Sequence, residues 1–302
     1  LNLLSLSPLI QTDSLAERLN YLPLLAQVLR DNPQLNSVYI GWQDGDYLML
    51  RPLINPGSQQ RFAAPERAAW MAWHIGNDDG HRHNSYLFLN ADLKVIEARM
   101  AADEGFDPRQ RPWYAAANRA DQQLVTTPYV FFSTREFGTT LARGASDRAV
   151  LGADLTLERL SRTLSQQRVT PASELILYTG DGVVIAYHDP QRLQHTVQGS
   201  NTLEPRRFQE LGSTLLATIA QDGYQLQRQT IRELEGQRWI IQQQRIGIPG
   251  SPDSYLAVLV PEAELLSDAY RLRRQSFWLS MAACLSLLGV TWLFCWRLRR
   301  DR

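Results

Sequence analysis

Hydrophobic and polar residues alternate along the chain between helix-like and strand-like patterns. Ser14 and Glu17 form a capping box ahead of leucines at helical spacing, and Pro23 is expected to kink or break that helix. Asp31-Asn-Pro then ends it. The next stretch, SVYIGWQDGDYLMLRPL, predicts two strands joined at Asp44-Gly45, since Asp-Gly is a strong hairpin signal.

The same kinds of pattern continue through the rest of the chain. Residues 85–100 predict a hairpin that turns at 90–92, and strand-rich stretches lead to a short amphipathic helix that ends near Gln167. A new hairpin with Asp181-Gly182 at its turn, a helix around 205–221, three long strands and a helix from Glu262 follow. Two related α+β modules in tandem, with antiparallel sheets and a long N-terminal helix, are therefore expected. One large α+β domain is the alternative.

An uncharged apolar segment, Ser276–Trp296, follows the last helix. It has roughly the 20 residues that a helix needs to cross a bilayer, and tryptophans lie near both ends, as is typical of the membrane interface. Arginines flank both sides and slightly favour a cytoplasmic C-terminus. We predict a transmembrane helix here, with a buried core helix as the alternative.

The ends of the chain, its net charge and its cysteines further limit what kind of protein this is. The chain begins with Leu1 and stops shortly after the predicted span, so we expect a fragment of a longer protein, with a first span before Leu1. The net charge of zero gives no bulk attraction to nucleic acid. Both cysteines, Cys284 and Cys295, lie in the apolar segment, so neither a disulfide framework nor a cysteine metal site is expected.

Candidate ligand-binding residues are most concentrated in the stretch FDPRQRPWYAAA (106–117). Pro112 suits the first position of a helix, and the residue before a proline is held extended, so Arg111 is expected at the helix entry. A guanidinium beside free backbone N–H groups suits a carboxylate or phosphate, and Trp113 and Tyr114 would exclude water. The alternative is that Arg111 pairs with Asp107 or Asp103 and Trp113 is core.

The Arg-x-Trp-Tyr motif, the antiparallel modules and the final span together resemble a double Cache (PAS-like) domain. Such domains are the extracytoplasmic input regions of bacterial receptors. The resemblance covers roughly residues 10–265 and implies the following organisation. The segments are an N-terminal helical stalk (1–33), a membrane-distal ligand-binding module (34–169), a membrane-proximal module (170–265), a linker helix (266–275), the span (276–296) and the start of a cytoplasmic segment (297–302).

The amino-acid-binding branch of this family has a Tyr-x4-Arg-x-Trp-Tyr motif, a later Tyr-x-Asp pair and a last Asp. The resemblance assigns Arg111, Trp113 and Tyr114 to the first motif, with Phe106 in place of its tyrosine. It matches Tyr129 to the later tyrosine, Phe131 to the paired aspartate and Asp154 to the last aspartate. The carboxylate-binding half is thus kept and the ammonium-binding half weakened. A small carboxylate, or a relative of an amino acid without its amine, is the expected ligand.

Other motifs point less clearly to a site. NDDGHRH (77–83) is expected to be a polar surface loop, with a metal site as the less favoured reading. No phosphate loop, nucleophile elbow or metalloprotease motif is present, so no catalytic residue, metal or other cofactor is expected in these residues.

The function expected from this sequence is therefore ligand sensing. We expect a homodimeric sensor in the bacterial inner membrane, with its sensing region in the periplasm and its C-terminus in the cytoplasm. It would signal to a cyclase, a phosphodiesterase, a cyclic-di-GMP enzyme or a histidine kinase outside this chain. A ligand-free interaction module controlled by a protein partner is the alternative, and a membrane-anchored enzyme is a third.

Overall fold

The computed structural model describes residues 1–54, 56–78, 81–102, 104–118, 123–196, 203–223, 228–247 and 253–266. Among these residues, no helix is long and apolar enough to cross a membrane. The predicted span, both cysteines, nearly all of the linker helix and the last six residues lie outside the described part, so those predictions stay as they were.

Short helices, separated by polar and proline residues, make up the N-terminal segment. They are α1 (Asn2–Ser5), a 3₁₀ turn (Pro8–Gln11), α2 (Leu15–Leu19) and α3 (Leu22–Asp31). The Ser14–Glu17 capping box starts α2, as predicted, and Pro23 lies in the first turn of α3. The expectation of one long N-terminal helix is wrong. Pro8 and the start of each new helix interrupt the series of backbone hydrogen bonds that one continuous helix would need. Leu4, Leu9 and other apolar residues of this segment are buried in the core.

The first sheet holds most of the strands. They are β1 (Ser37–Trp42), β2 (Tyr47–Pro52), β3 (Trp70–Asp78), β4 (His81–Leu89), β5 (Val95–Met100), β6 (Leu124–Val125), β7 (Tyr129–Val130), β8 (Phe137–Ala145) and β9 (Ala149–Thr156). Among the described residues their order is β5-β4-β3-β2-β1-β9-β8-β6, and β7 pairs with β8. Neighbouring strands of this sheet are antiparallel, with Tyr39 of β1 opposite Gly152 of β9, for example.

The central strands of the first sheet, β1, β2 and β9, are buried on both faces. Residues such as Val38 and Ile40 point into an aliphatic core shared with α3, and we call this side the helix face. The residues between them, such as Tyr39, point into an aromatic core on the opposite side, which we call the pocket face. The two-residue period of a strand therefore assigns consecutive residues to different cores.

Two hairpins were predicted where the structure has them. Gly45, between β1 and β2, has a φ of 97°, a left-handed conformation that glycine adopts easily. The β4–β5 turn falls at Asn90, whose side chain accepts a hydrogen bond from the Lys94 N–H at 2.9 Å. The expectation of a loop is wrong for residues 77, 78 and 81–83, which lie on β3 and β4. Residues 70–78 and 81–89 pair with each other as strands, and β2 pairs with β3 over residues 70–75.

Helices and a second sheet complete the described chain. The helices are α4 (Pro56–Arg61), α5 (Pro112–Ala117), α6 (Leu157–Gln166), α7 (Thr214–Asp222) and α8 (Glu262–Leu265), with 3₁₀ turns at Pro108–Gln110, Pro190–Arg192 and Phe208–Leu211. The later strands are β10 (Glu174–Thr179), β11 (Val184–Tyr187), β12 (Gln194–Thr196), β13 (Leu203–Pro205), β14 (Arg228–Leu234), β15 (Gln237–Ile246) and β16 (Ser254–Pro261). Among the described residues the second sheet has the order β11-β10-β16-β15-β14, and β12 pairs with β13.

The α+β class with antiparallel sheets is thus confirmed. By compactness the chain divides into one unit of residues 1–167, 175–228 and 243–257, and another of residues 168–174, 229–242 and 258 onward. In the second unit, the Ala172 N–H donates to Glu264 at 2.9 Å and Arg238 pairs with Glu262 at 2.8 Å. The module boundary at 169–170 stays a prediction.

Candidate functional site

The proline-started helix forms as the sequence predicts. Pro112 is the first residue of α5, and Arg111 before it is extended, with φ −85° and ψ 147°. The preceding 3₁₀ turn is capped by Asp107, whose carboxylate accepts the Arg109 N–H at 2.9 Å. Gly41 of β1 lets this segment approach the sheet, because an added Cβ there would lie 2.9 Å from the Trp113 ring. The motif is thereby held against the pocket face.

Arg111 has no anionic partner in the part of the chain that the structure describes. Its guanidinium carbon lies 5.6 Å from the Phe132 ring centre and 6.0 Å from that of Tyr129. Asp107 pairs instead with Arg109, at 2.9 Å, and the bonds from that guanidinium hold the pKa of the Asp107 carboxyl below its usual value. The alternative that Arg111 pairs with Asp107 is therefore wrong. Asp103 lies outside the described residues.

Aromatic rings fill the space between the helix entry and the sheet. The Trp113 ring centre lies 4.8 Å from that of Tyr39, and the Phe106 centre lies 4.7 Å from Trp73 and 4.9 Å from Tyr47. Between these rings remains a space of about 20 Å³, which we call the aromatic cavity. That volume holds about one water molecule. Trp113 therefore borders the aromatic cavity, as expected. It is also packed within the buried aromatic core, as the alternative proposed.

A buried carboxylate lies at the base of the aromatic cavity. Asp154 of β9 is 4% exposed and accepts hydrogen bonds from the hydroxyls of Tyr39 (2.6 Å), Thr140 (2.7 Å) and Ser37 (3.1 Å). Burial raises the pKa of this carboxyl, while the same hydrogen bonds oppose the shift. Burial also raises the pKa of the Tyr39 phenol. The carboxylate oxygens are thus occupied by donors of the protein itself.

The side chains of Tyr129 and Phe131 form the neighbouring wall. The Tyr129 hydroxyl lies 2.7 Å from Thr140 Oγ1, and its ring centre lies 5.3 Å from that of Phe131. Phe131 packs over Gly138, where an added Cβ would lie 2.0 Å from the ring. Phe131 therefore gives this wall an apolar surface where the resembled pattern has a carboxylate.

The structure brings six of the seven predicted residues to one cavity. These are Phe106, Arg111, Trp113, Tyr129, Phe131 and Asp154. Tyr114 does not line it, and its ring packs beside Trp113 at 5.5 Å. The sequence reasoning missed Tyr39, Tyr47, Trp73 and Phe132, which also line the cavity. The alternation in the two predicted strands that carry Tyr39 and Tyr47 could have placed both on one face.

The polar motif NDDGHRH does not form a metal site among the described residues. His81 and His83 lie on β4, one exposed and one partly buried, and no group of three metal-ligating side chains is found in the described part of the chain. Residues 79 and 80 lie outside it.

The chain is similar to several bacterial signalling proteins. No family model matches it. It is 28% identical over 193 residues to adenylate cyclase 1 of Rhizobium meliloti, covering 63% of this chain and 29% of the relative. It is 27% identical over 134 residues to the methyl-accepting chemotaxis protein PctB of Pseudomonas aeruginosa. This match covers 42% of this chain and 21% of that relative. The chain thus spans less than a third of the length of these relatives.

Similar solved structures come from the same kind of protein. The ligand-binding domain of the Pseudomonas fluorescens chemoreceptor CtaA, in complex with L-isoleucine, aligns with a TM-score of 0.44 and 19% identity over 84% of this chain and 87% of that one. The ligand-binding domain of Pseudomonas aeruginosa PctB in complex with L-Gln aligns with a TM-score of 0.47 and 19% identity. That alignment covers 89% of this chain and 86% of the other. The relatives in sequence confirm the resemblance to bacterial receptors that the motif and the modules predict.

Proposed function

We propose that this chain is the ligand-sensing region of a bacterial membrane receptor and that its aromatic cavity binds a small carboxylate. The observation that carries the proposal is the unpaired guanidinium of Arg111 at the cavity wall, among the described residues. A carboxylate is the natural partner, since guanidinium and carboxylate form paired, charge-assisted hydrogen bonds. The similarity to a chemotaxis receptor and to an adenylate cyclase supports a sensing role.

The ligand class follows from the opposite end of the cavity. Phe106 and Phe131 present rings there, and the Asp154 oxygens already accept three hydrogen bonds. An ammonium group would compete with these donors for the Asp154 oxygens, and no other carboxylate lines the cavity among the described residues. A carboxylate without an amine fits better than a standard amino acid, although the cavity must widen to admit it.

Widening would take place at the segment after β7. Phe132 is only partly buried, and its ring lies 5.1 Å from Phe106 and covers the space beside Arg111. Its displacement would open the cavity without disturbing the sheet. A ligand that holds Phe132 in a different position would bias the receptor between two states in proportion to its difference in affinity.

Membrane attachment and signal output complete the proposal. We place residues 276–296 across the inner membrane, the sensing region in the periplasm and the C-terminus in the cytoplasm, on the strength of the uncharged segment and its flanking arginines. A dimer would pass the change to an output outside this chain, such as a nucleotide cyclase, a phosphodiesterase or a kinase.

One observation favours a second candidate. A cavity of about 20 Å³ holds no metabolite in its present form. A ligand-free module that responds to a protein partner would need no larger space. The two candidates differ in whether any small molecule stabilises the protein through Arg111.

The test is a thermal unfolding screen of the 302-residue chain in detergent, followed by intrinsic fluorescence, against carboxylates and amino acids. A ligand at a hundredfold excess over its Kd adds about 2.7 kcal/mol of stability. Arg111→Ala should abolish the shift. Arg109→Ala is the matched control, because that arginine is already paired with Asp107. An unchanged shift in Arg111→Ala, or no stabilising carboxylate, would contradict the proposal.

A further inference from the structure

A larger cleft lies beside the aromatic cavity in the same compact unit. It has a volume of about 530 Å³ and is bounded by the end of β2, by α4, by residues 134–136 and by the start of α6. Pockets of roughly 300–1,000 Å³ are typical of small-molecule sites. We call it the arginine cleft, after Arg51, Arg61, Arg159 and Arg162, which line it.

Charge in the arginine cleft is unbalanced. The four arginines are accompanied by two lining carboxylates, Glu136 and Glu158, which leaves a formal excess of two positive charges. Glu158 is held by Arg162 at 2.6 Å. Arg61 and Arg159 donate to backbone carbonyls, at 2.7 Å to Ser133 and at 2.6 Å to Pro33. These bonds fix the guanidiniums in place and leave their charges largely uncompensated.

Arg51 is the least satisfied of the four. It is 4% exposed, and its guanidinium carbon lies 5.3 Å from the Phe62 ring centre. Its Nη2 donates a hydrogen bond to Ser133 Oγ at 3.4 Å, and its buried Nε has no partner in the described part of the chain. No described carboxylate forms an ion pair with it. Burial lowers its pKa, and the more distant charges of Asp154 and Glu136 oppose that shift.

A second unsatisfied group lines the same cleft. The hydroxyl oxygen of Thr134 is buried and has no hydrogen-bond partner among the described residues. Buried polar groups are nearly always paired, and a buried charge without a counter-charge is more costly still. Two such groups at one cleft indicate a partner that the protein does not supply itself.

We propose that the arginine cleft is a second binding site, for a small anion that carries two negative charges, such as a dicarboxylate. The charge excess of two sets the ligand charge, and planar guanidiniums match carboxylate or phosphate oxygens. Arg51 would supply the buried charge and Thr134 a hydrogen bond. The site is separate from the carboxylate site proposed around Arg111 and does not depend on it.

The experiment measures Kd by isothermal titration of the 302-residue chain in detergent with succinate, malonate and inorganic phosphate, at constant ionic strength. Acetate and chloride are the monovalent controls. Arg51→Met keeps the bulk and removes the charge, so it should weaken dianion binding by at least about tenfold. Thr134→Val is nearly isosteric and should weaken it by about two- to tenfold. Arg148→Met, at an exposed arginine outside both sites, should leave it unchanged.

Arg111→Ala separates this site from the aromatic cavity. Dianion binding that survives Arg111→Ala and is lost in Arg51→Met supports the second site, and preference for phosphate over dicarboxylates would identify a phosphorylated ligand. Binding lost in Arg111→Ala and kept in Arg51→Met assigns the anion to the aromatic cavity and overturns the inference. Loss in both variants indicates one continuous site, which overturns it as well. Acetate binding as tight as dianion binding also overturns the inference. So does a result in which no probe binds.

Discussion

The Tyr39 hydroxyl donates a 2.6 Å hydrogen bond to the Asp154 carboxylate, across 115 residues of sequence. Both side chains are almost fully buried. The bond joins neighbouring strands β1 and β9 on the pocket face and fixes the Tyr39 ring against Trp113. The base of the aromatic cavity is therefore rigid, and its adjustable part lies on the side of Phe132.

Asp154→Asn should change how stability depends on pH. Burial raises the pKa of Asp154 in the folded protein above 3.8, the ordinary value of an aspartate. The folded state therefore binds the proton more tightly than the unfolded state. The contribution of this group is present below about pH 4 and is lost as pH rises through the folded pKa. Urea unfolding between pH 4 and 8 should show that slope in the wild type and a flatter one in Asp154→Asn. Asp92→Asn, at an exposed turn, is the control, and an equal slope in all three proteins would contradict the argument.

Asp46→Asn should destabilise the first unit strongly. Asp46 accepts a 2.7 Å bond from Arg18, whose side chain is 2% exposed and lies 4.0 Å over the Trp42 ring. Removing the carboxylate leaves a buried guanidinium without its counter-charge, which costs about 3–5 kcal/mol. Denaturant unfolding measures this loss. Glu104→Gln breaks the exposed pair with Arg135 and should cost less than about 1 kcal/mol, so similar losses in both variants would refute the distinction.

Gly152→Ala should disturb the aromatic cavity from below. An added Cβ would lie 2.1 Å from the Tyr39 ring, which its bond to Asp154 prevents from moving away. We expect a loss of about 1–3 kcal/mol in the free energy of unfolding, as for overpacked cores. Gly247→Ala is the control, because an added Cβ there meets no described atom within 4 Å. A Gly152→Ala protein as stable as the control would show that the ring can yield.

Phe132→Ala should speed ligand entry, if a carboxylate binds in the aromatic cavity. The substitution removes the ring beside Arg111 and Phe106 and leaves the buried wall intact. Because Phe132 is only partly buried, its cost in stability should stay below the roughly 3–5 kcal/mol of a fully buried phenylalanine. Stopped-flow tryptophan fluorescence with a carboxylate found in the screen should give a larger association rate constant. An unchanged rate constant would place the entry elsewhere.

Local signals allowed much of the fold to be predicted. Asp44-Gly45 and Asp181-Gly182 marked hairpins, Ser14 and Glu17 marked a helix start, and Pro112 marked the entry of α5. Each depends on the conformational preferences of a few adjacent residues. Residues 77, 78 and 81–83 were mistaken for a loop because they are polar, whereas the structure pairs them across β3 and β4, with Asn77 opposite Arg82 and Asp78 opposite His81.

The candidate site was only partly predictable for the same reason. Arg111 and Trp113 stand in one motif, but Tyr39 and Asp154 become partners only when β1 and β9 pair. Arg18 and Arg51 were overlooked as functional or structural residues, since an arginine in a sequence is most simply taken to be solvated. Their burial follows from tertiary packing, which no short pattern encodes.

If the aromatic cavity binds a ligand, the two buried faces of β1 and β2 let ligand preference and scaffold stability change separately. Residues such as Tyr39 and Met49 face the pocket side, while Ile40 and Leu48 hold the aliphatic core. Variation limited to every second residue of β1 and β2 would therefore remodel recognition and spare the framework. A receptor lineage could acquire new stimuli in this way, and a designed library could use the same restriction to search for new sensors.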